Sequence, residues 1–159
     1  MRGIQPERTT VRYATITAAG VLLDGESESR SVLVARIVAV SPSRSLYREG
    51  RLLCRSLDGA WNLAGRRACP RCPEREACTP QARLDLAVDG AARGRIDRLL
   101  LAYTNREQLE QWMPRARGAT GRAIVGMRVR LTVEPRESRA GRPWGRLVFE
   151  VADATAEGA

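Results

Sequence analysis

The sequence predicts a mainly β protein of the α+β class, and three observations carry that expectation. In the last third of the chain apolar and polar residues alternate with period two, the pattern of half-buried strands. One run alone repeats its apolar residues at helical spacing. All four cysteines fall between Cys54 and Cys78, inside a stretch with little else to bury. In chain order these features read strand, long insertion, strand, strand, helix, strand, strand. That is the order of an OB-like β-barrel with an enlarged first loop. Residues 1–159 are therefore expected as a single OB-like domain, with a metal-binding insertion at 54–80 and a flexible tail at 152–159. An α+β sandwich built from the same elements is the alternative architecture.

The elements follow from local pattern. "TTVRYATIT" (Thr9–Thr17) alternates loosely and reads as one strand. "SVLVARIVAV" (Ser31–Val40) is apolar nearly throughout and β-branched, so it reads as a buried strand. "SPSRSLYREG" breaks that pattern at Pro42 and Gly50, and "RLLCRSL" (Arg51–Leu57) is a short strand carrying Cys54. Beyond Pro80, "ARLDLAV" and "RIDRLLLAY" are strand-like runs joined by "DGAARG", whose Asp89-Gly90 is a tight-turn signal. Thr104 and Glu107 form a capping box that opens the helix. Leu109, Trp112, Met113 and Ala116 share one face of it, and Pro114 ends or kinks it. In "MRVRLTVE" Met127, Val129, Leu131 and Val133 point inward while Arg128, Arg130, Thr132 and Glu134 point outward. "WGRLVFEV" repeats the pattern with Leu147, Phe149 and Val151 inward. Between these strands lies "PRESRAGRP", a loop bearing Arg136, Arg139 and Arg142.

Composition narrows the function. The formal charge is +9, and all 27 basic residues are arginine. GC-rich codon usage accounts for part of the missing lysine, but the excess positive charge still sits on a surface and attracts phosphate or anionic lipid. With no histidine and no lysine, Ser-His and Cys-His triads, Schiff-base lysines and lysine-containing phosphate loops are excluded. Asp58, Asp85, Asp89, Asp97, Glu107 and Glu110 show no spacing that marks a metal-dependent hydrolase, so an enzyme is not expected. No apolar run approaches the roughly 20 residues of a membrane span, and "MRGIQPERTTVRYATIT" lacks an apolar signal core. A cytoplasmic location is expected, where clustered thiols are metal ligands more often than disulfides.

The cysteine spacing is C-x14-C-x2-C-x5-C. Cys69 and Cys72 form a knuckle, Cys78 follows closely, and Cys54 arrives from the strand before. Four thiolates so arranged suit a tetrahedral zinc ion with Zn–S bonds of about 2.3 Å. They suit a [4Fe–4S] cluster as well. Four unliganded cysteines packed as small hydrophobes are the plain alternative. Against it, the loop "DGAWNLAGRRACPRCPEREACTP" holds little apolar matter beyond Trp61 and Leu63. Zinc is the first expectation and iron–sulfur the second. Pro73 after the knuckle speaks for iron: zinc knuckles often turn there through positive φ, which proline cannot adopt.

Two resemblances bear on this segment. "CPRCPEREAC" resembles the C-x2-C-P-x4-C segment of the iron–sulfur-stapled exonucleases of recombination and CRISPR adaptation. The likeness covers about ten residues, and only a structural staple is implied, because those nucleases carry a catalytic core that this chain lacks. More broadly, "CRSLDG", "CPRCP", a helix, "VRLTVE" and a final strand containing Gly-Arg-Pro-Trp resemble small proteins of phages and mobile elements. That resemblance implies a four-cysteine module, a β-rich C-terminal half and a role in handling DNA near replication or recombination.

Charge and aromatics complete the expectation. Arg55, Arg66, Arg67, Arg71 and Arg75 interleave with the thiols, where they either neutralise a thiolate centre or contact phosphates. Arg128, Arg130, Arg136, Arg139 and Arg142 would extend a basic track, and Trp61 and Trp144 would stack on unpaired bases. Trp112 and Phe149 read as core. The expected function is non-catalytic binding of nucleic acid, single-stranded DNA first. The alternative is a protein-interaction subunit that docks through its metal-stapled loop onto a DNA-processing or defence complex.

Overall fold

The structure is a computed structural model, and it describes residues 8–63 and 68–152. Its organising element is a long strand, β4 (Val32–Arg48). Before it come β1 (Thr10–Tyr13), β2 (Thr15–Thr17) and β3 (Gly20–Leu22). After it come β5 (Arg51–Ser56), β6 (Thr79–Val88), β7 (Arg95–Ala102), the helix α1 (Tyr103–Thr120), β8 (Arg128–Glu137) and β9 (Pro143–Val151). The main sheet runs β1-β7-β6-β4-β8-β9, with β5 also on β4. All neighbours are antiparallel except β1 and β7, which are parallel. The class is mainly β with one helix, as the sequence predicts.

One edge of β4 serves two partners in turn. Val32–Arg36 pair with β8, and Arg44–Arg48 pair with β5. Pro42 lies between these two stretches, so on that edge no ladder bond is lost for want of its N–H. This corrects the expected break at Pro42: the strand continues to Arg48. The hairpin to β5 then turns at Glu49 and Gly50, with φ of 51° and 75°. Two consecutive positive φ angles match a type I′ connection.

The core lies on one face of the sheet. Leu33, Ala35 and Ile37 of β4, Leu84 and Leu86 of β6, Leu99 and Leu101 of β7, Val129, Leu131 and Val133 of β8, and Leu147 and Phe149 of β9 are buried. Helix α1 packs on β9, β7 and β6. Leu109, Trp112 and Ala116 are buried on its inner face, and Trp112 stacks on Phe149 with centroids 5.6 Å apart. The β2–β3 hairpin packs beside β9, β8 and β4, with Val21 and the following Leu23 buried.

Several local expectations are corrected. Thr9–Thr17 is not one strand: Ala14 separates β1, which pairs with β7, from β2, which pairs with β3. Ser31–Val40 is not buried throughout, since Val32 and Val38 are exposed in strict alternation with Leu33, Ala35 and Ile37. Val151 is 37% exposed, because it sits at the last pair of the β8–β9 ladder. The capping box does not form. The helix begins at Tyr103, its N-cap is Ala102 without a side-chain hydrogen bond, and Thr104 already lies in the first turn. Nor does Pro114 end the helix, which continues to Thr120 and a left-handed Gly121 cap. Pro114 is on the exposed face, where water can satisfy the carbonyl it leaves free.

One side chain ties the two ends of the core sheet. Asn105 donates from Nδ2 to the Gly145 carbonyl at 2.9 Å and accepts from the Leu147 N–H at 2.8 Å. No ladder joins β7 to β9 among the described residues; the parallel β1 occupies the edge of β7 instead. Gly145 is required where β2 crosses β9, because a Cβ there would stand 2.2 Å from the Thr17 carbonyl oxygen and 2.6 Å from the Val133 side chain.

Candidate metal centre and nucleic-acid interface

The cysteine module leaves the sheet at the end of β5 and returns at β6. Its first turn is built on Asp58, whose Oδ1 accepts the N–H groups of Ala60 and Trp61 at 2.8 and 3.0 Å and the Ser56 hydroxyl at 3.1 Å. These donors, that of Trp61 first, hold the Asp58 carboxyl below its ordinary pKa. The chain closes on itself where Cys69 N–H meets the Ala60 carbonyl at 2.7 Å and Leu63 N–H meets that of Arg55 at 2.9 Å. Two single-turn 3₁₀ helices follow, Cys69–Arg71 and Arg75–Ala77, and neither has a buried residue. The module is stitched to β4 by an Arg48–Glu74 ion pair and by Arg44, which donates to the Arg75 carbonyl at 2.9 Å.

Cys54, Cys69, Cys72 and Cys78 are all free thiols, each partly buried. They line one cavity of about 20 Å³ together with Arg44, Asn62 and Arg75. Burial pushes the Cys78 thiol pKa up, the Arg44 guanidinium pulls it down, and the nearby Cys54 and Cys72 push it up again. As they stand, no three Cys, Asp or Glu side chains among the described residues are arranged to hold a metal ion. The structure thus brings the four predicted ligands around one small space without closing them into a coordination shell.

A larger groove of about 520 Å³ opens along β7 and the β1–β2 junction. It is lined by Tyr13–Ile16, Tyr47, Arg55, Gln81, Leu99–Ala102 and Asn105. Tyr13 and Tyr47 are 45% and 50% exposed. The Arg55 guanidinium lies 5.4 Å from the centroid of the Tyr13 ring and donates to the Tyr47 hydroxyl at 3.3 Å. Arg98 approaches the same ring at 5.8 Å. Arg98 is neutralised by a bidentate pair with the buried Asp85, at 2.7 and 2.9 Å, which raises its pKa further. Arg55 lines the groove and has no acidic partner among the described residues.

The predicted contact residues divide. Arg55 is in the groove. Trp61 is 57% exposed on the module, and Arg71 lies exposed in the first 3₁₀ turn. Arg66 and Arg67 lie outside the described residues, as does the predicted tail from 153 onward. Arg139 and Arg142 are exposed in the turn between β8 and β9, where Ser138 N–H bonds the Arg142 carbonyl at 2.9 Å. Arg136 pairs with Glu134 at 2.8 Å and faces the half-buried Trp144 across the ladder. The groove reaches β9 at Gly145, next to Trp144, where the lining residues Ile16 and Asn105 approach. Arg128 and Arg130 are not part of it. Arg128 pairs with Asp89 and lines a separate 290 Å³ pocket with Arg36 and Arg122, while Arg130 is exposed on β8.

Tyr13, Tyr47, Arg98 and Arg44 are the residues that sequence reasoning missed. Tyr47 was readable only by carrying the β4 alternation past Pro42. Tyr13 has no local signal, since its place depends on the parallel pairing of β1 with β7. No helix among the described residues is long and apolar enough to cross a membrane. No protein-family model, curated protein or solved structure matches this chain.

Proposed function

We propose that this protein binds single-stranded nucleic acid, DNA first, without catalysis, and that it does so in the groove of Tyr13, Tyr47 and Arg55. The observation that carries the reading is the pairing, in one open groove, of two half-exposed tyrosines with an arginine that has no acidic partner among the described residues. Aromatic rings accept unpaired bases by stacking, and an unneutralised guanidinium attracts the phosphate or stacks beside the base.

The strand order supports an OB-like reading. β4, β6 and β7 form a meander, α1 follows, β8 returns to the first half of β4, and β9 pairs with β8. An OB barrel adds a pair between its third and fifth strands, and here Asn105 clasps that seam. In OB folds the second and third strands and the first and last loops meet the oligonucleotide. On this mapping those are β6, β7, the cysteine module and the Arg139–Arg142 turn, of which β6, β7 and Arg55 at the root of the module line the groove. The resemblance to phage and mobile-element proteins favours a role for such binding in replication or recombination.

A second reading has its own observation. Leu52, Leu53, Trp61 and Leu63 are exposed on β5 and the module, which favours a protein-docking loop.

Titration of labelled oligonucleotides across salt separates the two. If about 4–6 phosphates are neutralised, log K falls against log salt with a slope of about −3 to −4 for single strands. Tyr47→Ala lowers single-strand affinity by about 5- to 150-fold, from about 1–3 kcal/mol of stacking per base, with the slope unchanged. Arg55→Ala weakens all sequences alike and flattens the slope by somewhat under one unit. Equal, weak affinity for single strands and duplex, indifferent to Tyr47, would overturn the groove reading and leave the docking loop.

A further inference from the structure

We propose that the thiol-lined cavity is a single-ion metal site, a tetrathiolate zinc centre whose counter-charge is Arg44. It is independent of the nucleic-acid reading and stands or falls by itself.

The first argument is convergence. Cys54 comes from the end of β5, Cys69 and Cys72 bracket one 3₁₀ turn, and Cys78 immediately precedes β6. Segments so far apart in the chain present their thiols to one cavity, and none of the four is in a disulfide. The second is size. About 20 Å³ is close to the 10–15 Å³ that seats one water molecule. That room suits one ion and does not suit four irons with four sulfides, which the cysteine spacing alone leaves open. The thiols must still turn inward to reach bonds of about 2.3 Å. The coreless 3₁₀ turns that carry or precede Cys69, Cys72 and Cys78 leave room for that movement.

The third argument is Arg44, which sits on β4 rather than in the module. Its guanidinium lines the cavity and is anchored to the Arg75 carbonyl at 2.9 Å and more loosely to that of Cys78 at 3.4 Å. Its Nε is buried with no hydrogen-bond partner among the described residues. A buried N–H without an acceptor is uncommon in a folded protein. A metal-bound thiolate would supply that acceptor. Zinc with four thiolates carries two negative charges, and a fixed guanidinium beside it offsets part of them. Coordination would release the protons of the thiols to solvent as the four S–Zn bonds form.

Metal analysis and thiol titration on the full chain test this. The purified protein should carry one zinc per chain, with its four thiols unreactive toward an aromatic disulfide reagent until a chelator removes the metal. Cobalt(II) added to the metal-free chain should give the absorption of a tetrahedral tetrathiolate site. Arg44→Gln should keep that stoichiometry and spectrum but weaken zinc binding about 10- to 100-fold, the usual cost of losing an outer-shell partner, and Arg44→Lys should recover part of the loss. Cys72→Ser should abolish the tetrathiolate spectrum. Thiols equally reactive with and without added zinc would overturn the site, and so would a bound chromophore holding four irons. Unchanged zinc affinity in a folded Arg44→Gln chain would overturn the role of Arg44. The cobalt titration of the unmodified chain decides the site even if the variants fail to fold.

Discussion

The sheet and the cysteine module are held together by different physics. In the sheet, Leu84, Leu86, Leu99, Leu101, Leu131 and Leu147 are fully buried, and each strand has a partner whose register fixes which side chains face inward. In the module, neither 3₁₀ turn buries a residue, and Trp61 and Leu63 are 57% and 64% exposed. Its order rests on the Asp58 turn, a few backbone bonds, the Arg44 and Arg48 stitches and, on our proposal, a metal ion. The difference teaches that a hydrophobic pattern can specify the first region, whereas the second is specified by donor chemistry and polar contacts. Mutations should therefore divide by region: losses of buried area should unfold the sheet, and losses of thiol or Arg44 should loosen the module alone.

The largest expected effect lies in the sheet's core. Trp112→Ala removes the ring stacked on Phe149 and should cost about 3–5 kcal/mol, read as a lower urea midpoint with unchanged slope. A change within experimental error would mean that α1 does not close this core, and the contrast with the module would lose its basis. A smaller effect is expected at the seam. Asn105→Ala strips partners from the Gly145 carbonyl and the Leu147 N–H and should cost about 1–3 kcal/mol. Hydrogen exchange should show the loss concentrated at β9 and at the β2 strand packed on Gly145. Exchange raised instead throughout the cysteine module would show that the two regions are not independent.

What the sequence made legible follows the same division. Val129, Leu131, Val133, Leu147 and Phe149 alternate cleanly because one face of β8 and β9 is core and the other is not, so period two identified them. Leu109, Trp112 and Ala116 were equally readable at helical spacing. Pro42 misled, and of the end or kink expected at Pro114 the end does not occur. Pro42 falls between the stretches of β4 that pair with β8 and β5, and Pro114 leaves its unpaired helix carbonyl on the exposed face, and only the tertiary arrangement reveals either. Val151 misled because alternation does not say where a ladder ends. The capping box failed because the helix starts one residue before Thr104, from a backbone turn at Tyr103 with φ of 49°. At the candidate site the four cysteines were legible from spacing, since ligand chemistry demands a specific residue type. Arg44 was not, because it belongs to a neighbouring strand and reaches the cavity only through the β4–β5 pairing. The groove was legible only in Arg55. Tyr13 comes to it through a parallel pairing of segments far apart in the chain, which no local pattern encodes.

The central claim is that unpaired bases lie against Tyr13 and Tyr47, and photo-crosslinking measures that contact directly. A bound oligothymidine irradiated in the full-length protein, digested and read by mass spectrometry should yield adducts on the peptides containing Tyr13 and Tyr47. Those adducts should diminish in Tyr47→Ala and in excess unlabelled single strand, and persist in excess duplex. Adducts confined to the Arg136–Trp144 loop or to Trp61, with none on either tyrosine, would contradict the claim.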